Sequence, residues 1–427
     1  MAVVPPVPRQ TLLTPGTGHR VRPPTYLPDG LTPEVLRRHD FPILKKISRS
    51  TPEGCTPDCS SRPRARDIGV VIGEHPTGPN NAITDVAGVR VGHATIQRPG
   101  PDPVNTGVTV VVPHAGIFTE PVFAGAHRLN GNGELTGLEW IRESGELTTP
   151  IGLTNTHSVG VVRDALVQAQ VQARGDGIVW SLPVVGETYD GLLNDVNGHH
   201  VGADHVATAL ADAAGGPVAE GNVGGGTGMI CHGFKGGIGT ASRITETVAG
   251  RYTVGVLVQA NHGRRERLRV NGIPVGELVG PELVPTPNLP MPYPPGSGSI
   301  IVIVATDAPL LPHQCTRLAQ RSALAVGRVG GTGEQYSGDM MLAFSTGNRG
   351  IPPYGWDENP DANRPEIPVR MVAPQLMNRL FDLAIEATEE AIVNALVAAE
   401  TMTGRGGLTA HALPHNLLHT ALLLEGH

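Results

Sequence analysis

MPYPPGSGSIIVIVATDAP, residues 291–309, is the stretch whose reading decides the fold. It opens as a Pro/Gly-rich loop and becomes, from Ser299, an apolar run too short for a typical helix. Ile300, Ile301, Val302, Ile303 and Val304 are all β-branched, which predicts a strand buried on both faces. Gly298-Ser299 therefore stands at the mouth of a core strand, just after pliable backbone. Glycine lacks the Cβ that forbids strained geometry. At such a junction a serine hydroxyl can attack the carbonyl before it, shift the acyl group from N to O and free itself as a new N-terminus. An N-terminal serine carries its own base, because its α-amine titrates near neutrality. The plain alternative is a Gly-Ser turn feeding a strand, and the stretch taken alone favours it.

Working outward, residues 81–95 read as turn and strand, 107–113 as a buried strand and 125–137 as a loop of small and polar residues. A helix begins at 138–143, and the apolar spacing of 159–173 and 203–214 predicts two more. A glycine loop at 221–239 precedes a strand at 252–260, and a long Pro-rich loop at 280–295 leads to the junction. Beyond it, 312–326 reads as a helix, 340–345 as a strand, and 375–402 as the longest helix. There Leu376, Leu380, Leu383, Ala387, Ala391 and Ala395 fall on one face. Buried strands alternating with helices indicate helices layered on sheet, an α/β (α+β) class. Residues 1–63 differ: they are rich in Pro, Arg and Thr, with one short helix expected at 33–38, and read as an N-terminal extension. Residues 64–427 form a single domain in this reading.

The chain has 427 residues, enough for a sizeable core. With aromatics at 4%, that core has to come from Val, Ile, Leu and Ala. A net charge of −7 without a basic block argues against a nucleic-acid partner. Cys55, Cys59, Cys231 and Cys315 are too few for a disulfide framework, so free thiols are expected. No signal-like or membrane-spanning apolar segment stands out, and the expectation is a cytoplasmic protein with no membrane partner.

Three clusters carry candidate chemistry. GETYDG puts Glu187, Tyr189 and Asp190 in a short turn, where a carboxylate suits a substrate cation and a phenol suits an oxyanion. VQANHG ends a strand with Asn261 and His262, and a side-chain amide also suits an oxyanion hole. GGTGEQYSGD places Ser337 and Asp339 on a loop entering a strand. Each has a plain reading as turn residues at strand ends. The glycine loop fits neither the dinucleotide fingerprint nor the P-loop, since Lys235 is not followed by Ser or Thr. It reads instead as close backbone approaches lining a pocket wall. His157, His232, His262 and His313 show no ligand spacing and read as scattered polar residues, so no metal site is expected.

Taken together, RARDIGVVIG, NAITDVAGVRVGH, PVVGETYDG, GNVGGGTGM, YTVGVLVQANHG, GSGSIIVIVATDAPL, RVGGTG and SGDMMLAFST resemble the DmpA family. These are the L-aminopeptidase/D-esterase and β-peptidyl aminopeptidase enzymes, self-cleaving serine N-terminal nucleophile hydrolases. The resemblance runs from about residue 64 through nearly the whole remaining chain, in the family's order. It implies a four-layer αββα sandwich similar to that of ornithine acetyltransferases, and cleavage between Gly298 and Ser299 into an α chain (1–298) and a β chain (299–427). It makes Ser299 the nucleophile, Tyr189 and Asn261 the oxyanion and intermediate stabilisers, and Ser337 the serine bonded around the nucleophile. Glu187 becomes the carboxylate that recognises the substrate's free amino group.

Asp339 stands where some relatives are expected to have glutamate, and the shorter side chain alters that role. Neither the extension nor the 280–295 loop belongs to the family core. The implied substrates are small peptides, amides or esters, processed with no metal or organic cofactor by homo-oligomers, commonly tetramers of αβ units. The rival enzyme is an acyltransferase of the ornithine acetyltransferase type, which is expected to use threonine where this chain has Ser299. The rival outside enzymology is an unprocessed protein whose glycine-rich wall holds a phosphorylated ligand.

Overall fold

In a computed structural model of the chain, the β-branched run is a strand, Gly298–Thr306, buried from Ser299 onward. The structure describes residues 63–175, 179–287, 297–352 and 366–425. Contacts divide the chain into two units, Met1–Cys59 and Ser60–His427. The helix expected at 33–38 and residues 288–295 of the Pro-rich loop lie outside the described residues.

Among the described residues, ten strands build two facing sheets: β1 (Arg90–Arg98), β2 (Val104–Val112), β3 (Val122–Arg128), β4 (Glu146–Leu147), β5 (Ile151–Asn155), β6 (Val184–Thr188), β7 (Gly237–Thr247), β8 (Gly250–Asn261), β9 (Gly298–Thr306) and β10 (Ser337–Ser345). The first sheet has the order β1-β2-β5-β6 and the second β4-β3-β10-β9-β8-β7. Four helices cover them: α1 (Val159–Arg174), α2 (Ala203–Ala211), α3 (Pro312–Arg328) and α4 (Met377–Val397). α1 and α2 pack on the first sheet, α3 and α4 on the second, and β6 meets β9 between the sheets. The layers run αββα. No described helix is long and apolar enough to cross a membrane.

β9 explains why this order needs an uninterrupted apolar strand. Side chains alternate faces along a strand. Ile300, Val302 and Val304 enter the core under α3 and α4, with Leu318, Leu380 and Leu396. Ile301, Ile303 and Ala305 enter the core between the sheets, with Leu153, Ile238 and Leu257. Each fully buried Ile or Val is worth about 1.5–3 kcal/mol, so a polar residue on either face would break one of the two cores.

The expected strands at 107–113, 252–260 and 340–345 and the helices at 159–173, 203–214, 312–326 and 375–402 are all found, with shifted ends. Four local readings are corrected, the first being residues 237–239 of the glycine loop, which belong to β7. Residues 125–128, read as loop, belong to β3. Glu187 lies on β6 rather than in a turn, because Val184–Thr188 pairs in parallel with β5. Ser337 and Asp339 open β10 rather than a loop, because their backbone pairs with β9.

Candidate active site

Register brings the candidate residues together. β9 runs antiparallel to β8 with Ser299 opposite Asn261, and parallel to β10 with Gly298 opposite Ser337 and Ser299 opposite Gly338. Three neighbouring strand ends thus carry Asn261, Ser299 and Ser337 across one edge of the second sheet. Gly298 has to be glycine for a steric reason: a Cβ there would collide with the Asn261 carbonyl oxygen. The close approach holds the Gly298-Ser299 peptide against the end of β8.

From the facing sheet, β6 delivers Glu187, with Tyr189 just past its end. A cavity of about 1120 Å3 gathers Glu187, Tyr189, Asn261, Gly298 and Ser299 on one wall system. Ser337 and Asp339 do not line it. A smaller hollow of about 600 Å3 at Glu246–Val248 and residues 375–379 holds none of the candidates. The glycine loop packs into the interior, with the backbones of Gly225 and Gly226 against those of Leu153 and Gly237. Close approach is therefore its role; only its edge, at Ile230 and Gly233, reaches the cavity.

Glu187 is 3% exposed. Its Oε1 accepts from the Glu134 amide at 3.0 Å, and its Oε2 accepts from the Thr156 hydroxyl. Burial raises its pKa above the ordinary carboxylate value, against those two hydrogen bonds. Glu134 and Thr156 also line the cavity, yet they sit in unremarkable sequence with no spacing signal. Asn261 is fixed at both ends of its amide: Oδ1 accepts from the Ile230 amide at 2.7 Å, and Nδ2 donates to the Tyr189 carbonyl at 3.0 Å. One of its two N–H groups remains for another acceptor.

Behind Ser299, the Ser337 hydroxyl donates to Asp339 Oδ1 at 2.6 Å. The Asp339 amide donates to Asn130 Oδ1 at 2.7 Å. Burial raises the Asp339 carboxyl to about 6, opposed mainly by the Ser337 hydrogen bond. Cys231 and Cys315 are free thiols. His232 and His262, scattered in sequence, lie side by side with ring centroids 5.1 Å apart.

The arrangement offers a hydroxyl, a side-chain amide donor and a buried carboxylate around one cavity, the elements of acyl transfer from a substrate bearing a cation. The family model of peptidase family S58 matches residues 81–410. Beta-peptidyl aminopeptidase BapA of Sphingosinicella microcystinivorans is 49% identical over 84% of this chain and 92% of its own length. A Burkholderia sp. beta-aminopeptidase structure superposes with a TM-score of 0.80 at 55% identity, covering 86% of this chain and 99% of its own. The L-aminopeptidase D-Ala-esterase/amidase of Ochrobactrum anthropi gives 0.77 at 44% identity, with 86% and 99% covered. That structure is described as a prototype of the serine aminopeptidases and a new variant among the Ntn hydrolase fold.

Proposed function

The chain belongs to peptidase family S58, the DmpA family, and is an aminopeptidase of that type; on this premise we propose that Ser299 is its nucleophile and is unmasked by self-cleavage. The Ser299 hydroxyl attacks the Gly298 carbonyl carbon, the Gly298–Ser299 amide becomes an ester, and water hydrolyses that ester. The products are an α chain ending at Gly298 and a β chain beginning with a free Ser299 amine. In turnover the Ser299 α-amine takes the hydroxyl proton as the oxygen adds to the scissile carbonyl, and gives it to the leaving amine. Water then releases the acyl group from Ser299. Asn261 offers its second N–H to the oxyanion, with the Tyr189 phenol beside it. Asp339 holds the Ser337 hydroxyl, which steadies the nucleophile from behind. Glu187 takes the substrate's ammonium group, so an N-blocked peptide would leave a buried carboxylate unanswered.

The observation that carries this reading is the register of Ser299 beside Asn261, with Glu187 on the same cavity. Small peptides, amides or esters with a free amino terminus are the substrate class, and the β-peptidyl specificity named for the relatives supports including β-amino acyl groups. The named relatives are aminopeptidases, which does not favour transfer to ornithine. Family resemblance extends the proposal to homo-oligomers of αβ units outside the 1–63 extension, which light scattering checks. The central test is intact mass and turnover of aminoacyl amides by the wild type beside Ser299→Ala. Two fragments cut between Gly298 and Ser299 are expected in the first. One uncut chain with no turnover is expected in the second; a variant that still turns over removes Ser299 as nucleophile.

A further inference from the structure

Behind the cavity wall, the turn after Ile230–Cys231 meets the residue that follows β8. The ligand atoms of Cys231, His232 and His262 lie within 4.8 Å of one another, and all three residues are buried. Cys231 Sγ is 3.8 Å from His262 Nδ1. His232 Nδ1 is 3.1 Å from the Arg264 carbonyl oxygen, so that nitrogen carries the proton and Nε2 keeps its lone pair. This Nε2, like that of His262, is buried without a hydrogen-bond partner. His232 also sits at φ 49°, a backbone conformation uncommon outside glycine.

None of the three residues lines the cavity, so the peptidase reading uses none of them. One thiol and two neutral imidazoles form a donor set suited to a thiophilic ion. A ligand histidine commonly gives its other N–H to a backbone carbonyl, the arrangement His232 makes with Arg264.

We propose that Cys231, His232 and His262 bind one thiophilic d10 ion of the Zn2+ class, fastening the 230–232 turn to the end of β8. On binding, the Cys231 S–H bond is exchanged for a metal–sulfur bond and the proton leaves to solvent. The ion would brace Asn261 indirectly, because the Ile230 amide already holds Asn261 Oδ1. The site holds whether or not Ser299 is the nucleophile.

The test uses the full chain without a histidine tag, carrying Cys55→Ser and Cys59→Ser so that the two cysteines four residues apart in sequence cannot compete. It is expressed in zinc-supplemented medium, and zinc per chain is measured by mass spectrometry after gel filtration. One ion per chain is expected. A loss of about tenfold or more is expected in Cys231→Ala, none in Cys315→Ala, the other buried thiol. His232→Asn, which tolerates positive φ, retains the thiol but should also lose zinc. Protein loaded with Co2+ should show a thiolate-to-cobalt charge-transfer band that needs no variant to interpret. A parent without zinc and without that band, or zinc retained in full by Cys231→Ala, overturns the proposal.

Discussion

Two regions of the molecule bury carboxylates, and their pKa values move in opposite directions. Under α4, Arg243 donates to Glu386 at 3.1 Å and to Glu390 at 2.6 Å, and Arg66 donates to Glu390 at 2.8 Å. Burial pushes both glutamates up. At Glu390 the Arg66 hydrogen bond and the two guanidinium charges outweigh it, and at Glu386 the Glu74 and His75 amides and the His75 ring do; both end below their ordinary value. At the strand ends around Ser299, burial pushes Glu187 and Asp339 up and the opposing hydrogen bonds do not reverse it. No Arg or Lys pairs with Glu187 among the described residues. Burial alone therefore does not mark a functional carboxylate. Under the proposed function, the carboxylates with resident cations are structural, and Glu187, which no Arg or Lys pairs among the described residues, takes the substrate's ammonium group.

The sharpest way to break this contrast is to remove the resident cation. Arg243 is fully buried, and its removal leaves Glu390 with Arg66 as its one cation and Glu386 with His75 and two backbone amides; breaking a buried pair in this way costs about 3–5 kcal/mol. Arg243→Met should lower the unfolding free energy measured in urea by that amount while leaving kcat/KM per folded chain unchanged. A stability loss under 1 kcal/mol would mean that the network under α4 is no more structural than the site.

The converse change comes second in size. Glu187→Gln keeps the shape and one acceptor for the Glu134 amide, the Thr156 hydroxyl turning to accept from the new NH2, but deletes the charge proposed to meet an ammonium. Losing a buried charged hydrogen bond across a binding site costs about 2 kcal/mol or more, roughly 30-fold. kcat/KM for free aminoacyl amides should fall by that factor, and N-acetylated substrates, poor with the wild type, should lose nothing. The urea midpoint should stay or rise. If it dropped as in Arg243→Met, Glu187 would belong to the structural class.

What sequence alone supported follows the same division. β9 was legible because Ile300–Val304 is β-branched on both faces, and no other structure suits that pattern. β3 and β7 were not, because packing demands small residues inside them: a Cβ at Gly239 would collide with the Ala391 carbonyl of α4. A strand thinned to let a helix approach reads as a glycine-rich loop. Glu187 was found as a residue but misplaced in a turn, since Gly186 and Asp190 around it are turn formers. Its partners Glu134 and Thr156 carry no local signal, because they meet it only across the fold. The Cys231–His262 contact spans 31 residues and appears only when the turn folds back on β8.

Asp339 gives the smallest effect and separates the two regions by pH rather than by size. Its carboxylate accepts from Ser337 at 2.6 Å, and a charged acceptor binds about twice as strongly as a neutral one. With its pKa raised to about 6, the group gains a proton as the pH falls through that value and its grip on Ser337 weakens. The Ser299 α-amine, titrating near about 7.7–8, has to be neutral as well. Both requirements act in the same direction, so log kcat/KM should rise with a slope of about two below pH 6 and about one from there to 8. Asp339→Asn mimics the protonated form at every pH. Its profile should keep only the upper limb, with kcat/KM near pH 8 lowered by about tenfold, or ~1.4 kcal/mol, while Asp339→Glu should restore the lower limb. A wild-type profile with no break near 6, or an Asn variant that keeps the slope of two, would place Asp339 with the settled carboxylates under α4 and leave Ser337 to hold the nucleophile unaided.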